Sequence, residues 1–159
     1  MPVNAIYAGS FDPVTNGHLD IIHRALRIFD FVTVSVIGNV DKAPLFSIKE
    51  RIDLIKNSIS SDRVEVEGFE GLLVDYARKK NTFNLIRGLR AVSDFEYEFQ
   101  MSLINRAQEP RIDTTFLMTD QKYSYLSSSI VRQLAKLNGN ISDYVSDYVK
   151  IKLKEKCNG

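Results

Sequence analysis

Four polar clusters in this chain each follow a short apolar run, and each carries residue types that hold anions. The first is Gly9-Ser-Phe-Asp-Pro-Val-Thr-Asn-Gly-His18. Two glycines and a proline bracket a turn that feeds a helix start, where free backbone N–H groups and the positive end of the helix dipole favour an anion. His18 falls in the first helical turn, from which its imidazole either reaches that anion or caps the helix. The second cluster is Lys42, in Asp41-Lys-Ala-Pro-Leu-Phe46. A loop lysine is a point charge for phosphate, and taken alone is more often simply solvated. The third is Arg87-Gly-Leu-Arg90. Its two guanidinium forks match phosphate oxygens, or pair with Asp94, Glu96 or Glu98 in a structural network. The fourth is Tyr123-Ser-Tyr-Leu-Ser-Ser-Ser129, whose serines offer hydroxyls and free N–H groups at a helix start and equally read as a capping motif.

These clusters need elements to position them. Asn4–Ala8, Phe31–Ile37, Val64–Gly68, Phe83–Ile86 and Thr114–Met118 are short and apolar or β-branched, as buried strands are. Between them lie helix-period segments. Gly17–Phe29 spaces Leu19, Ile22, Leu26 and Phe29 by threes and fours. Ser47-Ile-Lys-Glu50 and Ser93-Asp-Phe-Glu96 both have the spacing of a capping box, predicting helices from there onward, the second to about Arg106. Leu72–Lys80 and Ser127–Leu137 read as two more helices, and Ile141–Lys156 as a terminal one. The alternation predicts an α/β class: a doubly wound five-stranded parallel sheet with helices on both faces, in one domain spanning 1–159. In such sheets the ligand crevice lies beyond the carboxyl ends of the strands, which is where all four clusters fall.

Composition excludes several classes. Lysine and arginine number 21 against 20 acidic residues, a net charge of +1, which argues against the broad basic face of a nucleic-acid binder. The longest uncharged stretch, Met1–Phe11, falls far short of the ~20 apolar residues of a membrane span. No basic segment precedes an apolar run, so no secretory signal is expected. One cysteine, Cys157, and two histidines, His18 and His23, are too few for an internal disulfide or a His/Cys metal centre. A cytoplasmic protein is expected, with His23 a surface or packing residue.

Thr15-Asn-Gly-His18 resembles the signature of the nucleotidylyltransferase superfamily. The run Gly9–Asp20, together with Ile86-Arg-Gly-Leu-Arg-Ala-Val-Ser-Asp-Phe-Glu-Tyr-Glu98, resembles the bacterial phosphopantetheine adenylyltransferase family. The likeness extends from Ala5 to the terminal helix, with Tyr123 where the family often has tryptophan and Leu126 where it often has isoleucine. A nicotinamide-mononucleotide adenylyltransferase shares the first motif and would not be expected to carry the second. A cytidylyltransferase carries a threonine-rich segment in place of Ser127–Ser129. A non-catalytic nucleotide sensor would have no need of His18.

The resemblance implies a Rossmann-like nucleotidylyltransferase fold and adenylyl transfer from ATP to 4′-phosphopantetheine. Magnesium would be carried by substrate phosphates rather than by a protein cage, and the assembly would be a homohexamer. It implies His18 and Lys42 as catalytic residues, the first on the α-phosphate in the transition state, the second bridging attacking and α-phosphate oxygens. Ser10 and the Phe11 N–H would hold phosphate oxygens. Arg87 would hold the phosphate of phosphopantetheine, and Leu73 would touch its pantetheine end. Arg90 with Ser128 and Ser129 would hold the β- and γ-phosphates. Gly88 and Leu89 would border the nucleotide, with Glu98 and the turn Tyr123, Ser124, Tyr125, Leu126 and Ser127 completing the ATP site.

Overall fold

The computed structural model describes residues 1–38 and 43–158. Five strands form one sheet: β1 (Asn4–Gly9), β2 (Phe31–Ile37), β3 (Val64–Phe69), β4 (Asn84–Leu89) and β5 (Asp113–Met118). Their order is β3-β2-β1-β4-β5, with every neighbouring pair parallel. The chain winds outward from β1 in one direction to β3, then returns to the far side of β1 with β4. β1 and β4 therefore meet where the winding direction reverses, the position that opens a crevice at their carboxyl ends. The predicted strands are all present, and the α/β expectation is met.

Side-chain alternation divides the core. On β1, Ala5 and Tyr7 join the β2 residues Val32, Val34 and Val36 on one face. That face is covered by α1 (Asn16–Ala25), α2 (Ile48–Lys56), α5 (Ser128–Lys136) and α6 (Asp147–Asn158), through Ile22, Leu54, Val131 and Leu153. Ile6 and Ala8 point the other way, onto Val74 and Ala77 of α3 (Leu73–Lys80). Each fully buried aliphatic side chain contributes about 1.5–3 kcal/mol relative to exposure, so the larger cluster carries most of the burial energy.

α4 (Val92–Gln108) stands apart because it buries no residue. Phe95, Phe99, Leu103 and Ile104 are exposed along it. Beyond its end, Glu109 is buried and accepts from Arg78 at 2.9 Å and Arg111 at 2.9 and 3.0 Å, fastening α3 to the approach to β5. Hydrogen bonds from Arg111 first, then Arg78, hold the Glu109 carboxyl at about 2.

Three helix boundaries differ from the sequence reading. Ser93 does not cap α4. Ala91 is the N-cap with no side-chain bond, and Asp94 instead accepts from the Arg90 backbone and guanidinium at 3.2 Å. α1 stops at Ala25, after which Ile28 and Phe29 donate to the Ala25 carbonyl in a tight turn that still buries Phe29. α6 begins at Asp147 rather than Ile141. Residues 141–145 form a turn closed by the Tyr144 amide on the Ile141 carbonyl, and Ile141 and Val145 are buried from it. Apolar spacing of three and four is met by such turns as well as by a helix. The Ser47 capping box is present as predicted, with Glu50 N–H donating to Ser47 Oγ at 3.1 Å and Ser47 N–H to Glu50 Oε2 at 2.7 Å. No described helix is long and apolar enough to cross a membrane.

Candidate active site

A cleft of about 280 Å³ opens at the carboxyl ends of β1 and β4. Its lining comes from the end of β1 and the following loop (Tyr7 to Phe11), the start of α1 (Thr15, Gly17, His18, Ile21), and the end of β4 (Arg87, Gly88, Arg90). Thr119, Tyr123 and Leu126 to Ser128 close it. Three of the four clusters singled out in the sequence thus converge on one place. The fourth, at Lys42, lies outside the described residues.

The starts of two helices face this cleft. Thr15 caps α1 and Ser127 caps α5, its side chain accepting the Ile130 N–H at 3.2 Å. Ser128 Oγ donates to the Pro13 carbonyl at 2.8 Å, which ties the serine turn to the first loop. The loop itself is fastened by Asp12, whose buried carboxylate accepts the amides of Leu45 and Phe46 at 2.9 Å each. Phe11 has a left-handed backbone, φ 48°, uncommon for a bulky residue and a marker of a constrained position.

His18 caps its helix and also lines the cleft. Its Nδ1 accepts the Thr15 N–H at 3.0 Å, completing a capping box in which histidine takes the place usual for glutamate. The half-buried ring meets Phe11 edge-on at 5.0 Å. Burial first, then the charges of Arg90 and Arg87, lowers its pKa to about 4. The imidazole is therefore neutral near pH 7. Since Nδ1 receives a backbone N–H, which can only donate, the ring proton resides on Nε2. The structure presents a fixed neutral donor beside two arginines.

The arginines are held differently from one another. Arg87 donates to both Glu98 oxygens at 2.6 Å and to the Ala8 carbonyl at 2.8 Å. Burial works against its charge, Glu98 outweighs that, and its pKa is raised. Arg90 pairs with Asp94 and donates to the Leu126 carbonyl at 2.9 Å. Both arginines keep part of their surface open, at 31% and 38% of the side chain, so each has donor capacity left for a ligand.

Of the residues picked from sequence, Ser10, Phe11, His18, Arg87, Gly88, Arg90, Tyr123, Leu126, Ser127 and Ser128 line the cleft. Leu73, Leu89, Glu98, Ser124, Tyr125 and Ser129 do not. Glu98 reaches it through Arg87, and Ser129 Oγ accepts from Arg132 at 3.3 Å. Sequence reasoning did not pick out Tyr7, Thr15, Ile21 or Thr119. Thr15 had a signal, the three-residue spacing to His18 that a capping box requires. Tyr7 lies within a strand run and Ile21 within a helix run, and neither gave one.

Residues 6–134 match the cytidylyltransferase-like family model. A phosphopantetheine adenylyltransferase of Lawsonia intracellularis is 54% identical over 96% of this chain and 89% of its own length. One from Caldanaerobacter subterraneus is 54% identical over 96% of both chains, and one from Dictyoglomus turgidum is 52% identical over 97% of both. The chain belongs to the phosphopantetheine adenylyltransferase family. Among solved structures, a bifunctional NMN adenylyltransferase/ADP ribose pyrophosphatase from Francisella tularensis matches with TM-score 0.72 and 19% identity in its complex with AMP and a manganese ion. A second structure of that enzyme matches with 0.75 and 16%. This chain spans 50% and 51% of those two. At such identity the match shows a shared fold. The family and the nucleotidylyltransferase fold both agree with the sequence reading.

Proposed function

We infer that this member of the phosphopantetheine adenylyltransferase family transfers the adenylyl group of ATP to 4′-phosphopantetheine, a step of coenzyme A biosynthesis. An oxygen of the acceptor phosphate attacks the α-phosphorus. The new P–O bond forms as the bond to the β-phosphate oxygen breaks, and pyrophosphate leaves. The nucleophile already carries its charge, so no general base is needed. The work is to align two mutually repelling anions and to stabilise charge on the five-coordinate phosphorus.

The observation that carries this reading is the neutral His18 with its proton on Nε2, set among two helix starts and two arginines. A neutral donor stabilises growing charge on α-phosphate oxygens without being tied up in an ion pair beforehand. On our reading Ser10 and the Phe11 N–H hold oxygens beside it, and Arg87 holds the acceptor phosphate with Glu98 fixing its fork. Arg90, Ser128 and Ser129 take the β- and γ-phosphates. Gly88 and Leu89 border the nucleotide, and Tyr123, Ser124, Tyr125, Leu126 and Ser127 form its outer wall. Leu73 meets the pantetheine arm, and Lys42 bridges the attacking and α-phosphate oxygens.

Among the described residues no group of three or more His, Cys, Asp or Glu is placed to hold a metal ion, and the carboxylates of Asp12, Asp94 and Glu98 are taken by backbone amides or arginines. We therefore assign magnesium to the phosphates of ATP, with which it enters and whose charge it offsets, and route no step through a protein-held ion. We further read the chain as a single cytoplasmic domain, in keeping with its lone free thiol, that assembles as a homohexamer. The exposed apolar residues of α4 support self-association.

The test is pyrophosphate release from ATP, measured with phosphopantetheine and, in parallel, with nicotinamide mononucleotide. Release dependent on phosphopantetheine alone is expected. Release with the mononucleotide alone, or ATP binding without release, would overturn the reading.

A further inference from the structure

Arg51 is the most enclosed arginine described, 2% exposed, and among the described residues its guanidinium meets no carboxylate directly. It donates instead to three backbone carbonyls: Ser10 at 2.7 Å, Ile37 at 3.1 Å and Phe46 at 3.1 Å. Those carbonyls belong to the loop after β1, the end of β2 and the residue before the Ser47 cap of α2. A buried cation is costly unless its hydrogen bonds are well satisfied, and an apolar side chain of similar volume often serves stability as well or better. Stability alone therefore does not account for an arginine here.

The shortest of the three bonds has a chemical consequence. Among the described backbone only the Asp12–Pro13 bond is cis, so the Ser10–Phe11 peptide is trans. In a trans peptide the C=O and the following N–H point in opposite directions. Drawing the Ser10 carbonyl toward Arg51 turns the Phe11 N–H away from α2. Among the described residues that N–H has no acceptor, and Ser10 and Phe11 both line the cleft. A cation on the carbonyl also polarises the amide and makes its N–H a better donor. The bonds to Ile37 and Phe46 anchor the guanidinium to the sheet and to α2, and the Asp12 carboxylate locks the next residue to Leu45 and Phe46. The left-handed conformation of Phe11 is then imposed by its surroundings on both sides.

We propose that Arg51 is a positioning residue for adenylyl transfer: it holds the Ser10 carbonyl so that the Phe11 N–H faces the cleft and binds one non-bridging oxygen of the α-phosphate. This rests on the phosphate reading given above. It adds a residue outside the cleft that sets the aim of a donor within it.

The test compares Arg51→Met and Arg51→Lys with the unaltered chain, using ATP and the two diastereomers of ATP carrying sulfur at a non-bridging α-position. Because an N–H aimed at one oxygen distinguishes the diastereomers, the unaltered chain should prefer one of them. In Arg51→Met, kcat should fall by about 30-fold or more with KM for both substrates changed by less than about threefold, and the diastereomer preference should shrink. Arg51→Lys, which keeps a cation able to reach part of the carbonyl set, should recover part of both. Circular dichroism and melting establish which variants are folded at the assay temperature. If Arg51→Met is not folded, Arg51→Lys is read by the same two criteria. A folded variant with unaltered kcat, or one losing kcat while keeping the full diastereomer preference, overturns the role of Arg51. No preference in the unaltered chain overturns the α-phosphate contact itself.

Discussion

The Thr15 amide binds Nδ1 of His18 at 3.0 Å, and that contact decides which imidazole nitrogen carries the proton. The histidine is thereby oriented by the same bond that begins α1, so the element and the donor are set together. His18→Ala is expected to lower kcat by about 100-fold or more while ATP still binds, since the contact strengthens only as charge develops. Steady-state kinetics and ATP calorimetry check it. Turnover near that of the unaltered chain would remove His18 from the transition state.

The same ring predicts a pH dependence. Its pKa in the folded chain is about 4, lowered by burial and then by Arg90 and Arg87 from an ordinary 6.5. Between those values the unfolded chain binds a proton that the folded chain refuses. This contribution is fully favourable above pH 6.5 and is lost as pH falls, at up to ~1.4 kcal/mol per pH unit, levelling near pH 4. Denaturant unfolding of the unaltered chain against His18→Gln between pH 4 and 7 should show that differential slope. The His18 ring signals in NMR should titrate near 4, and a midpoint near 6.5 would contradict the assigned environment.

Arg87 and Glu98 form one unit, joined by two 2.6 Å bonds. Arg87→Ala should raise KM for phosphopantetheine by about tenfold or more and leave KM for ATP little changed. Glu98→Gln, which keeps the shape and loses the charge, should shift the same constant by a smaller factor. An effect of Arg87→Ala confined to ATP would exchange the roles of Arg87 and Arg90.

Gly88 leaves room that a methyl group would contest. A Cβ there would lie 3.1 Å from Ile21 Cγ1 and 3.7 Å from the Tyr7 hydroxyl. Gly88→Ala is expected to cost about 1–3 kcal/mol, as overpacking does. Ile21→Ala alone should cost about 2–5 kcal/mol through the cavity it leaves. Because the new methyl enters that cavity, the double variant should cost less than the sum of the two. Strict additivity in chemical denaturation would mean that the residues do not compete for space.

Much of the fold was legible because β-branched runs punctuated by polar turns are an unambiguous strand signal: Phe31–Ile37 is read from sequence and observed with the same limits. Helix ends were less so. Ser93 and Glu96 have capping-box spacing, yet the helix opens earlier, on Ala91, with Asp94 in its first turn reaching back to the Arg90 amide, a choice of start that spacing does not reveal. The site was legible where it depends on residue type at a strand end, as at His18, Arg87 and Arg90. It was not where it depends on reach. Arg51 is an ordinary arginine at the start of a helix by sequence, and only the folded chain brings the carbonyls of Ser10, Ile37 and Phe46 to it.

α4 buries nothing, and yet it carries Glu98. Among the described residues two ion pairs join this helix to the sheet, Glu98 with Arg87 and Arg106 with Asp113, and Phe95 rests edge-on against Phe116. Attachments of that kind are screened by dissolved ions, the more so the more exposed they are. The exposed Arg106–Asp113 pair should accordingly weaken as ionic strength rises, while Glu98, 12% exposed and joined to Arg87 by two bonds, is screened far less. The helix is thus free to loosen at its far end in salt while its hold on Arg87 stays set.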